Sequence, residues 1–231
     1  MDAVKYDAFI SYRHNERDSA VAREIQNRLE RFRIPSAIQK AYGVKEIKRI
    51  FRDEAEFDIG SDLGKKIDDA LAASGYLIVI CSDAYNESKW CLHEIEEFLK
   101  THDRSHVLTV LSEGEPPGIF PEMLCSCEET IEQEDGSSVT VQRICEPLAC
   151  DYRKPFKEAE KTELPRLLAA LIGCTYDELI MRREQYRRKR LTALTSVIAA
   201  LSAIAVSYLS YSNATIRRHY LQTLIKESNT L

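Results

Sequence analysis

Glycine is scarce, eight residues in 231, and none falls into a dinucleotide fingerprint or a Walker loop. That excludes the two commonest sequence-readable ways of cradling phosphate on a glycine-rich turn. The string Gly60-Ser61-Asp62-Leu63-Gly64 is too short and too acidic for that work. Histidine is equally thin: His14, His93, His102 and His106 show no zincin spacing, and no Ser/His/Asp set stands out. There is no low-complexity tract and no internal repeat. Met1–Ile10 has no basic start, and a strand pattern begins almost at once, so it does not read as a signal peptide. Seven cysteines are an odd count without the spacing of a secreted disulfide framework, and thiols in a reducing cytosol are expected. Cys125, Cys127, Cys145 and Cys150 could be imagined round a zinc ion. Their gaps match no familiar finger, so structural or incidental cysteine is the better reading and no metal site is expected.

What is present is distributed unevenly. The formal net charge is -5, yet residues 182–231 hold nine Lys/Arg and two Glu, leaving the preceding 181 residues strongly acidic. An acidic globular part argues against nucleic acid as its partner. The cations crowd into Arg182, Arg183, Arg187, Arg188, Lys189 and Arg190, and from Leu191 to Ile216 no charged residue follows. Twenty-one helical residues from Leu191 to Tyr211 rise about 31 Å, against roughly 30 Å of bilayer hydrocarbon. The pattern reads as one transmembrane helix over 191–212; a packed or amphipathic soluble helix is the alternative that hydroxyls such as Thr192, Thr195, Ser196, Ser202 and Ser207 leave open. Six cations before the span against Arg217 and Arg218 after it place the amino-terminal domain in the cytoplasm.

The segment ahead of the span alternates strands with helices. Tyr6–Tyr12, Ile47–Phe51, Tyr76–Cys81 and Val107–Leu111 read as strands, with a last one near Cys145–Cys150. Helices are expected at Asp18–Phe32, after a Ser61 cap, and at Ser88–Lys100. A further helix, Leu164–Ile172, is stopped by Gly173, and Thr175 with Glu178 forms a capping box opening the next. The continuous apolar run at Tyr76–Cys81 suits a central parallel strand covered on both faces. The fold expected is α/β, an open doubly wound parallel sheet of five strands. A hairpin around Asp135-Gly136 decorates it within 116–150. No Gly or Pro interrupts Tyr176–Asn213, so one helix is expected to run from the domain into the membrane as a stiff stalk. The layout is then a domain at 1–155, helices and a basic stalk at 156–190, the span, and a helical tail at 213–231 that reaches Leu231 without a stop signal.

Two short strings carry the functional signal. Asp7-Ala8-Phe9-Ile10-Ser11-Tyr12-Arg13 is a buried strand ending on an arginine, and Ser88-Lys89-Trp90-Cys91-Leu92-His93-Glu94 opens a helix. Positions i and i+4 share a helix face, so Trp90 and Glu94 can meet one ligand. In an open α/β sheet ligands sit beyond the carboxyl ends of the strands, where the order reverses. Arg13 leaves the first strand there and Ser82 the third. On the helix, Cys91, Leu92, Ile95, Phe98 and Leu99 define the buried arc, with Glu94 and Glu96 on its shoulders; a shoulder carboxylate is often only a solvated charge.

With Phe51-Arg52-Asp53 and the loop from Asp58 through Gly60 to Asp62, these strings resemble the Toll/interleukin-1 receptor (TIR) domain over roughly the first 150 residues. The resemblance implies a flavodoxin-like fold with strand order 2-1-3-4-5. It also implies that Glu94 is the catalytic residue of an NAD-cleaving site, with no cofactor beyond NAD as substrate. Arg13, Trp90, Ser82 and Asp53 would bind that substrate, and Asp58, Gly60 and Asp62 would belong to a gating and assembly loop. Trp90 as a core anchor, Arg13 in a surface ion pair and the acidic loop as a plain flexible segment remain open. The implied function is a membrane-anchored NAD glycohydrolase, a single-pass protein of the cell membrane active on homotypic self-association in bacterial defence or signalling. The alternative is a non-catalytic TIR module that recruits partners through homotypic contacts. Ala199, Ala203 and Ser207 share one face of the apolar helix and would let two such helices approach.

Overall fold

The computed structural model describes residues 5–52, 63–116, 118–132 and 138–228. Along the chain come β1 (Ala8–Ser11), α1 (Glu16–Arg31), α2 (Ser36–Tyr42), β2 (Ile50–Phe51), α3 (Leu63–Ala72), β3 (Leu77–Cys81), α4 (Asp83–Asn86), α5 (Lys89–Leu99) and β4 (Val107–Leu111). The hairpin strands β5 (Ser126–Glu132) and β6 (Ser138–Ile144) follow, then β7 (Ala149–Asp151), α6 (Phe156–Thr162), α7 (Leu164–Ile172) and α8 (Tyr176–Ser228). The main sheet is all parallel in the order β2-β1-β3-β4-β7, so the expected open five-stranded arrangement is present. Contacts divide the chain into two compact units, residues 1–180 and 181–231.

Strand alternation sends apolar side chains to both faces of the sheet. Ala8, Ile10, Ile78, Ile80 and Val110 enter one core layer with Val21, Ile25 and Leu29 of α1 and Leu167, Leu168 and Ile172 of α7. Phe9, Leu77, Val79, Cys81, Val107 and Leu111 point the other way, against Ile67 and Leu71 of α3 and Ile95 and Phe98 of α5. Side chains at i and i+1 of a strand face opposite sides, and here both sides are covered. Pairings Phe9 with Leu77 and Leu77 with Val107 hold the three central strands in register.

Several boundaries differ from the sequence reading, each for a local reason. The second strand is only Ile50–Phe51, because the N–H groups of Lys48 and Arg49 donate to the Asp7 carboxylate (2.9 and 3.1 Å) instead of a neighbouring strand. The last strand starts at Ala149, since Cys145 N–H stays with the hairpin, bonded to Cys125 O at 2.8 Å, and Pro147 has no N–H to give. The hairpin pairs down to Ser126 opposite Ile144 at its base. Residues 83–99 form two helices, α4 and α5, each with its own serine cap. Two short helices, α2 and α6, were not delimited by the sequence pattern; each buries a single side chain, Ile38 or Ala159, which leaves no amphipathic stripe to read. Gly173 ends α7 in the left-handed region at φ 78°, and Thr175 Oγ1 accepts the Glu178 N–H at 3.2 Å.

In the second unit, the stretch Leu191–Asn213 has mean hydropathy 1.8, and none of its apolar surface is covered by protein. The hydroxyls of Thr195 and Ser196 donate to Thr192 O (2.9 and 2.8 Å) and that of Ser202 to Ile198 O (2.8 Å), so they satisfy themselves within the helix.

Candidate active site

The site is built where β1 and β3 end. Ser82 follows β3 and caps α4, its hydroxyl accepting from Tyr85 N–H at 3.2 Å. One helical turn later Ser88 caps α5 through Cys91 N–H at 3.4 Å. The two caps fix where Tyr85 and Glu94 project.

Glu94 is 7 % exposed and Ser11, the last residue of β1, is 1 % exposed. The Ser11 hydroxyl donates to Glu94 Oε2 and lies 2.7 Å from the Tyr85 hydroxyl. Tyr85 Oη is 3.0 Å from Cys91 O, and the Cys91 thiol reaches Tyr12 O at 3.6 Å. Burial, then the neighbouring Glu94 charge, pushes the Tyr85 phenol well above its ordinary range, so it stays a neutral donor. On the other side of β1, Arg52 Nη1 donates to Tyr12 Oη (3.1 Å) and its Nε to Gln26 Oε1 (3.0 Å). The helix carboxylate is thus held against a strand end, and a guanidinium is held against the next residue of that strand.

A second polar knot supports the first. Asp18, at the start of α1, is fully buried and receives Asn15 Nδ2 (2.9 Å), Ser82 Oγ (2.6 Å) and Ser112 Oγ. Ser112 follows β4, so one carboxylate ties α1 to the ends of two strands. A buried carboxylate is tolerable only with such donors. Neither Asp18 nor Ser11 nor Tyr85 entered the sequence reading as a functional position. The only available signals were Ser11 inside the Phe-Ile-Ser-Tyr string and an acid in the first turn of α1.

The positions expected to act together are arranged as follows. Arg13 is exposed directly after the Ser11–Tyr12 pair. Trp90 is 64 % exposed although it shares a helix with buried Glu94. Glu94 belongs to the buried side of α5 with Cys91, Ile95 and Phe98, not to its shoulder, and Ser11 supplies a hydrogen bond that helps make its burial tolerable. Ser82 is fully buried and engaged by Asp18 and Tyr85. Asp53, Asp58, Gly60 and Asp62 lie outside the described residues. Among the described residues no group of three His, Cys, Asp or Glu side chains stands close enough to hold a metal ion. A cleft of about 490 Å³ lined by Arg104, Val107, Leu148 and Arg166 opens beside the amino ends of β4 and β7, where strands begin, and belongs to a different place in the fold.

The chain is similar to several known proteins. A family model described as "TIR domain" matches residues 8–135. The NAD(+) hydrolase ApTIR of Actinoplanes sp. is 25 % identical over 235 residues, covering 91 % of this chain and 30 % of that protein. The chain therefore spans less than a third of that relative's length. Among solved structures, the TIR domain of the Toll-related receptor TRR-2 from Hydra magnipapillata is 15 % identical, covering 72 % of this chain and 98 % of that one, with a TM-score of 0.42. A metazoan TIR-STING receptor from C. gigas is 23 % identical over 50 % of this chain and 35 % of that one, with a TM-score of 0.36.

Proposed function

Since the chain belongs to the TIR domain family, we propose that it hydrolyses NAD at the bond between nicotinamide and ribose. The observation that carries this reading is Glu94, an acid on a helix that is buried and hydrogen-bonded at the carboxyl end of β1. The Actinoplanes relative, an NAD(+) hydrolase, supports it at the level of the family.

The chemistry asks little of the protein. Nicotinamide is cationic in NAD and leaves neutral, so no general acid is required. As the bond stretches, positive charge builds on the ribose, and a fixed carboxylate beside it stabilises that charge or holds the ribose hydroxyls. Glu94 takes this role. Arg13, exposed at the end of β1, pairs with the phosphates, and Trp90 offers its face to the nicotinamide side. Asp53 remains a proposed substrate contact, and Asp58, Gly60 and Asp62 the gating and assembly loop. Ser82 contributes from inside by capping α4, since its hydroxyl is already engaged.

Leu191–Asn213 serves as a single membrane span, and the basic residues before it keep the TIR domain on the cytoplasmic side. Confinement to a surface raises the effective concentration of copies and favours self-association, the event that switches the domain on in defence or signalling.

The test is direct. Full-length protein in vesicles or detergent is incubated with NAD, and the products are separated by chromatography. The parent protein releases nicotinamide, and Glu94→Gln slows release about a hundredfold or more, the scale for losing one fixed stabiliser of a charged transition state. Equal turnover by parent and variant removes Glu94 from catalysis. No turnover at all, even when clustered, leaves the non-catalytic assembly module as the function.

A further inference from the structure

With Glu94 ionised, the hydroxyl hydrogens of Ser11 and Tyr85 have a single arrangement that links the three side chains in series. An ionised carboxylate accepts and never donates, and a serine hydroxyl carries a single hydrogen. Ser11 spends that hydrogen on Glu94 Oε2. Toward Tyr85, 2.7 Å away, the Ser11 oxygen is therefore restricted to accepting. Tyr85 can donate its one hydrogen to the Cys91 carbonyl at 3.0 Å, and in the ionised state it bonds Ser11 only by turning that hydrogen to Ser11 instead. Should Glu94 take up a proton, the chain can run backwards, from Glu94 through Ser11 and Tyr85 to the Cys91 carbonyl, with no hydrogen left over. Ser11 and Tyr85 are buried, so water does not substitute for either.

We propose that Ser11 and Tyr85 are positioning residues for Glu94, a directed run of hydroxyls from α4 through the end of β1 to α5 that fixes one carboxylate oxygen and leaves the side chain a single pose. The proposal rests on the reading of Glu94 as the group that acts on NAD. A glutamate on a helix has three side-chain torsions and loses substantial rotamer freedom when fixed. Without a strand-borne donor, nothing in α5 itself would select the pose that faces the sheet's carboxyl end. Hydrogen bonds in series also polarise one another in a low-dielectric setting, so the tyrosine strengthens the bond it does not itself make to Glu94. Neither residue needs to touch substrate.

The experiment uses the full chain in detergent micelles, with NAD as the probe. Turnover and thermal midpoints are measured for Ser11→Ala, Ser11→Thr, Tyr85→Phe, Glu94→Ala and the Ser11→Ala/Glu94→Ala double variant. Ser11→Ala should lower kcat about tenfold to a hundredfold, as expected for one hydrogen bond to a charged group, with KM within about twofold of the parent. Ser11→Thr keeps the hydroxyl and should recover most of that loss. Tyr85→Phe, which keeps the ring in its pocket, should lower kcat by about threefold to tenfold, the scale of a neutral hydrogen bond. The midpoint shifts of Ser11→Ala and Glu94→Ala should be non-additive, since each removes the same bond. Additive midpoints overturn the proposal whatever the activity, and so does a Ser11→Ala kcat within about twofold of an active parent. Non-additive midpoints in a parent that never turns over NAD uphold the arrangement and overturn the hydrolase reading instead.

Discussion

Single side chains in this domain are governed by how completely the sheet's ends are sealed. Cys81, at the end of β3, and Cys150, in β7, are pushed from 9.0 to about 12, each chiefly by burial. Both are neutral thiols in the native protein and far from nucleophilic at ordinary pH. The sign of the linked pH effect follows. In the unfolded chain these thiols lose their protons near pH 9, while the folded chain keeps them to higher pH, so the folded state holds more protons between the two values. Their contribution is fully present below pH 9 and is lost as pH rises toward 12, at roughly 1.4 kcal/mol per pH unit for each thiol. Denaturation midpoints should fall from pH 9 upward, and replacing both residues by alanine should flatten that slope. Alkylation of the native protein at pH 8 followed by mass spectrometry should mark the half-buried Cys125, Cys145 and Cys174 before buried Cys81, Cys91 and Cys150. Early modification of Cys81 would mean that the core opens far more readily than its packing implies. Glu94 was legible as the acid after Ser-x-Trp, and its helix as amphipathic. Its burial was not, because that depends on a serine 83 positions away in sequence, and pairing across such a distance leaves no mark on local periodicity.

Elements differ in what their caps are worth. Ser88 accepts one long bond, 3.4 Å from Cys91 N, so Ser88→Ala should cost only about 0.5–1 kcal/mol, the lower part of the range for caps. Ser82 both caps α4 and gives its hydrogen to buried Asp18 at 2.6 Å. Its removal leaves a charged acceptor one donor short, and Ser82→Ala should cost about 2–3 kcal/mol. Urea unfolding of the two variants should rank them in that order, and an equal cost would show that Asp18 draws little from Ser82. Gly173→Ala meets nothing within 4 Å, so the whole penalty is backbone conformation at φ 78°, about 1 kcal/mol. Elements with long apolar runs, β3 and β4, were readable because burial on both faces is written into consecutive residues. The stop at Gly173 and the cap at Thr175 were readable because their chemistry is local. The shortness of β2 was not, since it comes from Asp7 reaching across to Lys48 and Arg49, a competition between side chain and backbone that propensity does not encode.

At the scale of the whole molecule, composition carries a claim about solvent. Leu191, Leu194, Val197, Ile198, Leu201, Ile204 and Leu209 are exposed along a single helix, far more contiguous apolar surface than a chain in water leaves uncovered. The full protein should therefore stay in the membrane fraction after an alkaline carbonate wash, whereas a chain ending at Ile180 should be released. A reporter fused at Leu231 should signal from the side opposite the TIR domain; recovery of the full chain in the soluble fraction would refute the span. The main sheet has a further consequence for how copies meet. Its outermost members, β2 and β7, are two and three residues long, too brief to template another chain's backbone. In the self-association proposed above, this sheet would offer no edge for continuous cross-strand pairing between copies, so contacts at its margins would fall to side chains and loops, and an aggregate built that way would come apart readily.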